Sequence, residues 1–191
     1  MNFEHIDYFM TCAACLNFSL AAKHHYVSVS TLSRGINALE DKLGVKLFER
    51  GYHGHSLTVA GQEFFNCCVK NSVEMNRYTM RWCKPERDIF RIGCCDGNSA
   101  YEKLIVACAK MPADYLPKNV KIIFLAEDDW ACAIEKGFID AVVMEMKEEP
   151  YREGIKTAEF FTEGDKRFVF AGKGSIDDSI LKKLSSLKRF L

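Results

Sequence analysis

The feature that most constrains this chain is a stretch near its start whose apolar spacing fits short helices joined by a tight turn. Leu32, Ile36, Leu39 and Leu43 recur at the spacing of one face of an α-helix. Ser28 or Ser30 stands where that helix needs an N-cap, and Gly44 follows the last apolar residue, where the chain must leave it. Ahead of it, Leu20, Ala21 and Ala22 follow Asn17 and Ser19, either of which can cap a short helix, and Tyr26-Val27-Ser28 breaks the pattern. An earlier helix is predicted from about Phe3 to Ala14, with Ile6, Phe9, Met10 and Ala13 on one face. Three helices in this order, the last with one polar face, have the geometry of a helix-turn-helix.

The following residues extend that unit. Gly51 and Gly54 bracket a short polar loop between two extended pieces, which predicts a β-hairpin tip, or wing. From Thr58 a long helix is predicted, with Ala60, Phe64, Cys67 or Cys68, Val73, Met80 and Cys83 at roughly helical spacing. A helix of that length with an apolar stripe points to a partner helix and hence to a dimer. The charged, proline-containing run Lys84-Pro85-Glu86-Arg87-Asp88 reads as a hinge. Beyond it the pattern is β-α-β-α-β: strands at Ile89–Cys94, Val120–Leu125 and Ala141–Met144, and helices at Ala100–Lys110 and from Asp128 or Asp129 through Lys136. Crossovers of this kind join parallel strands. A strand at Arg167–Ala171 and an amphipathic helix from Asp177 to Lys188 follow, with no closing strand expected.

Bulk properties narrow the function classes. The 191 residues carry 26 basic and 26 acidic side chains, so no global charge draws the chain to nucleic acid or membrane. No apolar run approaches the roughly 18 residues that span a bilayer, and Met1–His5 lacks the basic start of a signal peptide, so a cytoplasmic location is expected. The nine cysteines then read as reduced thiols. Cys12-Ala13-Ala14-Cys15 has the spacing of a metal or redox pair, but with no second pair it reads as helix packing.

Residues 3–65 resemble the DNA-binding domain of LysR-type transcription regulators throughout. The matching pieces are Asn17-Phe18-Ser19-Leu20-Ala21-Ala22, Val27-Ser28 with Thr31-Leu32-Ser33-Arg34, and Ile36-Asn37-Ala38-Leu39-Glu40. Leu43-Gly44-Val45-Lys46-Leu47-Phe48-Glu49-Arg50 and Leu57-Thr58-Val59-Ala60-Gly61 complete them, in order and at the family's spacing. More loosely, Phe90-Arg91-Ile92-Gly93 and Glu135-Lys136-Gly137-Phe138-Ile139-Asp140-Ala141-Val142 resemble parts of its sensing domain. The resemblance implies an α+β chain in three parts. An all-α winged helix-turn-helix occupies 1–57, a long dimerisation helix and hinge 58–88, and a partial periplasmic-binding-protein-like α/β effector domain 89–191, C-terminally truncated.

It also implies the contacts. The third helix enters the major groove of double-stranded DNA and reads it with Val29, Ser30, Thr31, Ser33, Arg34 and Asn37, while Ser28 at the cap suits a phosphate. Arg34 either pairs with guanine or holds a phosphate. The wing, with Arg50, His53 and His55, lies along the minor groove or backbone. Two departures stand out: Val29-Ser30 where the family often has Gln-Pro, and Tyr52, His53 and His55 where its wing carries Arg or Lys. Within residues 1–56, Lys23, Arg34, Lys42, Lys46 and Arg50 balance Glu4, Asp7, Glu40, Asp41 and Glu49. All five histidines also fall there, so DNA affinity is expected to rise as pH falls from about 8 to 6.

Cys95-Asp96-Gly97-Asn98-Ser99 falls where family members line the effector cleft. It reads equally as a small-carboxylate site or as a plain strand-to-helix turn. The loop follows Cys94 and Cys95, whose thiols at a strand end raise an oxidant-sensing alternative, against ordinary pocket lining. No catalytic constellation, metal site, phosphate loop or cofactor motif appears, so an enzyme is not expected. Three functions stay open: a dimeric, effector-responsive DNA-binding regulator, a shortened interaction protein that pairs with full-length relatives, or a small-molecule or thiol sensor whose α/β half keeps a response. Exposed apolar residues on the last helix would favour the second.

Overall fold

The computed structural model describes residues 2–51, 54–82, 89–95, 99–112, 115, 119–145, 154–173 and 178–191. The predicted Lys84–Asp88 hinge lies outside them. Helices α1 (Phe3–Cys15), α2 (Phe18–His24) and α3 (Val29–Leu43) come first, then the wing strands β1 (Phe48–Gly51) and β2 (Gly54–Leu57) and the long α4 (Val59–Trp82).

Each early helix is bounded by local chemistry. Asn2 Oδ1 accepts the Glu4 amide at 3.1 Å, Asn17 Oδ1 the Leu20 amide at 3.0 Å, and Ser28 Oγ the Thr31 amide at 3.1 Å. Of the alternative caps, the chain uses Asn17 and Ser28. Gly44 leaves α3 at φ 71°, a left-handed conformation that costs glycine nothing, and its amide bonds back to Glu40 O at 2.8 Å. Tyr8, Cys12, Ala21, Ala22, Leu32 and Ile36 pack as one apolar cluster at the centre of the three helices.

The second half is an α/β sheet built from β3 (Ile89–Cys94), α5 (Ser99–Lys110), β4 (Asn119–Phe124), α6 (Trp130–Glu135) and β5 (Ala141–Glu145). The antiparallel strands β6 (Ile155–Glu163) and β7 (Lys166–Lys173) follow, then α7 (Asp178–Ser186) and a 3-10 turn over Leu187–Phe190. The strand order is β4-β3-β5-β7-β6. β3 pairs in parallel with both β4 and β5, as the crossovers predict, and β7 pairs antiparallel with β5.

Three expectations need correction. β6 was not foreseen; paired antiparallel with β7, it extends the sheet ahead of the last helix. Only Phe160 of β6 is buried, and an irregularity between Glu159 and Phe161 interrupts the two-residue alternation that marks a strand. Asp129 occupies the N-cap of α6 without a capping bond, because its carboxylate is paired with Arg77 Nε of α4. The final helix stops at Ser186 and tightens into the 3-10 turn, and residue 177 lies outside the described residues.

A continuous apolar core joins the two halves, uniting Phe9, Met10 and Leu47 with Phe65 of α4 and with Ile92, Leu104 and Phe168. The Tyr101 ring on α5 stands 6.3 Å from Phe65 and 4.6 Å from Phe124, centroid to centroid. Asn76 Nδ2 donates to Phe124 O at 2.9 Å, tying the far end of α4 to the end of β4. No helix among the described residues is long and apolar enough to cross a membrane.

Candidate nucleic-acid interface

Helix α3 separates its residues cleanly by face. Leu32, Gly35, Ile36 and Leu39 are buried, while Ser28, Val29, Ser30, Arg34 and Asn37 are exposed and Thr31 and Ser33 are half-buried. The first turn presents a compact hydroxyl cluster: Ser28 Oγ lies 2.8 Å from both Ser30 Oγ and Thr31 Oγ1. One turn on, Arg34 Nε makes a long 3.4 Å contact with Ser30 O, which leaves most of the guanidinium's donors facing outward. Donors, acceptors and a valine methyl surface therefore share one helix end, whose first backbone amides also point outward. That is the chemistry of a groove-reading helix.

The support for this helix comes from Glu40, a residue whose local sequence shows only that it belongs to the run Leu39-Glu40. Glu40, buried on the inner side of α3, accepts the Leu47 amide at 2.9 Å and the Phe48 amide at 3.2 Å through Oε1, and Lys46 Nζ at 2.7 Å through Oε2. It thereby fixes the start of the wing relative to α3. Burial alone raises a carboxyl pKa, but here the Lys46 ammonium and the two amides outweigh it and hold Glu40 below the usual range. Thr58 closes the other side of the wing. Its hydroxyl donates to Lys46 O at 2.7 Å and accepts the Gly61 amide at 2.8 Å, starting α4.

The wing itself is only partly described: His53 lies outside the described residues, as does the Arg50 side chain. His55 turns back toward the helices. Its ring stacks on Phe18 with centroids 4.2 Å apart, and its Nδ1 is buried without a hydrogen-bond partner among the described residues.

Burial likewise removes His24 from the expected pH response and weakens the part of His25. His24 is pushed down to about 4 by burial and by neighbouring His25, and burial also lowers His25, whose Nε2 lies 2.8 Å from Thr11 Oγ1. His24 therefore gains no charge between about pH 8 and 6, and His25 gains less there than an unburied histidine would. His24 acts on stability instead. The unfolded chain takes up the His24 proton near pH 6.5 and the folded chain only near 4, so folding stability falls as pH drops through that window. The urea midpoint is expected to be lower at pH 5 than at pH 7, with the difference reduced in His24→Asn. Equal pH dependence in the two proteins would refute this.

In the second half, Asp96, Gly97 and Asn98 lie outside the described residues. Cys95 sits at the end of β3, its thiol 3.9 Å from Ala126 O. Ser99 opens α5, and its hydroxyl donates to the Glu163 carboxylate of β6, so that carboxylate already meets the donor foreseen for an effector. Burial raises the thiols of Cys12 and Cys15, which suits packing rather than redox chemistry.

Comparison with known proteins agrees with the geometry of α1 to β2. Residues 3–62 match the family described as bacterial regulatory helix-turn-helix protein, lysR family. This stretch is a LysR-family helix-turn-helix. The chain is similar to the HTH-type transcriptional regulator TcbR of Pseudomonas sp. (strain P51), 42% identical over 64 residues, which cover 34% of this chain and 22% of that protein. It is also similar to the HTH-type transcriptional regulator AlsR of Bacillus subtilis (strain 168), 31% identical over 107 residues, covering 54% of this chain and 35% of that protein. The matched stretch thus spans about a fifth to a third of these curated relatives. Among solved structures, CbnR, a LysR family transcriptional regulator, covers 83% of this chain and 55% of its own at 25% identity, with a TM-score of 0.41. Within the LysR-family unit, Asn17, Ser28, Leu39-Glu40 and Thr58 to Gly61 are the residues whose structural work is now visible.

Proposed function

We propose that this chain is a transcription regulator that binds double-stranded DNA through α3, as a dimer. The carrying observation is the exposed N-terminal end of α3, where Ser28, Val29, Ser30 and Arg34 present mixed donors and apolar surface on a rigidly capped helix of a LysR-family unit. Ser28 and the first amides of α3 hold a phosphate, while Val29, Ser30, Thr31, Ser33, Arg34 and Asn37 reach base edges. Arg50, His53 and His55 belong to the wing, and the inward stacking of His55 favours a supporting part for it. Such a regulator works in the cytoplasm, beside the chromosome.

Dimerisation through α4 is supported by Met75, Tyr78 and Trp82, which are 58%, 61% and 74% exposed and follow one another at helical spacing on one face. A small carboxylate effector at Cys95, Asp96, Gly97, Asn98 and Ser99 would have to displace Glu163 from Ser99. The interaction-protein alternative called for exposed apolar residues on the last helix. Leu181, Leu184 and Leu187 are instead buried in the core and Ile180 is half-buried, while Ile176 lies outside the described residues, so no observation favours it.

The test is selection of genomic fragments by the purified chain at moderate salt, followed by sequencing. A shared motif with two half-sites about one helical turn apart supports a dimeric regulator. Recovery without a motif overturns sequence-specific binding. Arg34→Ala is expected to weaken binding to the selected duplex about ten- to a hundredfold. Relaxed preference at one base position assigns Arg34 to base reading, and uniform weakening assigns it to phosphate. Unchanged affinity would remove Arg34 from the interface.

A further inference from the structure

We propose that Tyr26 is a DNA-backbone contact, its hydroxyl donating to a phosphate that flanks the groove read by α3 and its ring lying on the adjoining deoxyribose. This rests on α3 being the groove-reading helix.

Three observations carry the assignment. The first is backbone strain. Tyr26 forms the turn between α2 and α3 at φ 55°, a left-handed conformation that bulky residues disfavour and that glycine or asparagine adopts readily. The turn needs that conformation because the Tyr26 amide bonds back to Lys23 O at 3.1 Å and the Val27 amide to Ala22 O at 3.0 Å. A tyrosine is not what such a turn calls for.

The second is that the fold gives this side chain nothing in return. Tyr26 is 83% exposed, the most exposed large hydrophobic residue of the described chain. Its ring and hydroxyl make no hydrogen bond, ring contact or ion pair with any described residue. Among the described residues, every other aromatic of the helix-turn-helix after Phe3 is engaged: Tyr8 with Glu4, Phe9 with Phe48 and Phe64, and Phe18 with Phe48 and His55.

The third is position and charge. Tyr26 stands two residues before the Ser28 cap, beside exposed Val29 and the Ser28–Ser30 hydroxyl pair, so it borders the reading surface without lying on the helix that enters the groove. Residues 1–56 carry equal numbers of basic and acidic side chains. With so little net charge available, grip on the backbone must draw heavily on uncharged donors, and a tyrosine hydroxyl is one.

The experiment compares wild type, Tyr26→Phe and Tyr26→Gly by fluorescence anisotropy. The probes are a labelled duplex from the fragments the wild type retains and a random-sequence duplex of equal length. Tyr26→Phe is expected to bind about fivefold more weakly, having lost one hydrogen bond to a charged oxygen, and Tyr26→Gly about tenfold or more. Both losses should be equal on the two duplexes. The slope of log affinity against log salt should not change, since no cation is removed. Tyr26→Gly should nevertheless melt no lower than the wild type, because glycine relieves the strained turn, and a merely structural tyrosine would not give weaker binding with undiminished stability. Tyr26→Gly binding as tightly as the wild type, or losing affinity only in step with a lower Tm, overturns the proposal. A loss confined to one duplex overturns the backbone assignment in favour of base reading. If the wild type retains no duplex at all, the α3 interface falls and Tyr26 with it; wild-type binding with unaffected variants sinks Tyr26 alone.

Discussion

Gly61→Ala is expected to lower the Tm of the chain by about 10 °C, the effect of roughly 3 kcal/mol or more on a protein of this size. Gly61 lies in the first turn of α4, where an added Cβ would fall 2.1 Å from Leu47 O and 3.0 Å from its carbonyl carbon. The obstacle is backbone, so no side-chain rotation relieves it. Nor is that backbone free to retreat. Leu47 is fully buried, its amide is held by Glu40 at 2.9 Å, and its carbonyl accepts the Thr58 amide at 3.0 Å. Opening the junction therefore breaks the hydrogen bonds that join α3, the wing and α4. Circular dichroism melts decide it, and a Tm within about 2 °C of the wild type would show that the junction yields easily.

Glu40→Ala is expected to cost about 2–4 kcal/mol, because it leaves the Leu47 and Phe48 amides without their acceptor as well as removing the Lys46 pair. Glu40→Gln keeps one oxygen for both amides and should lose less. The pH dependence separates the two effects. Glu40 has a folded pKa below its ordinary 4.5, so its contribution is fully present above that value and is lost as pH falls through the folded pKa. Acid unfolding of the wild type should therefore have a component below about pH 4.5, distinct from the His24 component between about 6.5 and 4. Glu40→Gln should lack the lower component and retain the upper one. A wild-type acid limb that survives unchanged in Glu40→Gln would contradict this assignment.

These variants act on support rather than on the reading surface, and that division explains what was legible beforehand. Glu40 and Gly61 stood in view as members of the runs Leu39-Glu40 and Thr58 to Gly61, yet nothing local shows that Glu40 folds inward or that Leu47 O passes over Gly61. Both facts depend on how the wing closes against two helices. Ser99 and Glu163 lie 64 positions apart, and no pattern around either suggests their contact.

By itself the sequence determined the elements whose cause is local. Asn17 and Ser28 cap helices because their side chains reach amides three residues on, and Gly44 ends α3 because glycine takes the left-handed turn there without strain. The apolar stripe of α3 and the runs of β3, β4 and β5 follow from periodicity along a single segment. Tertiary structure alone decided the rest: the inward stacking of His55 on Phe18, the burial that keeps His24 uncharged, the diversion of Asp129 from its cap to Arg77, and β6 as an exposed edge strand. The physical reason is one of range. Caps and periodicity act within about one helical turn, whereas burial, ion pairing and strand addition depend on which distant faces the folded chain brings together.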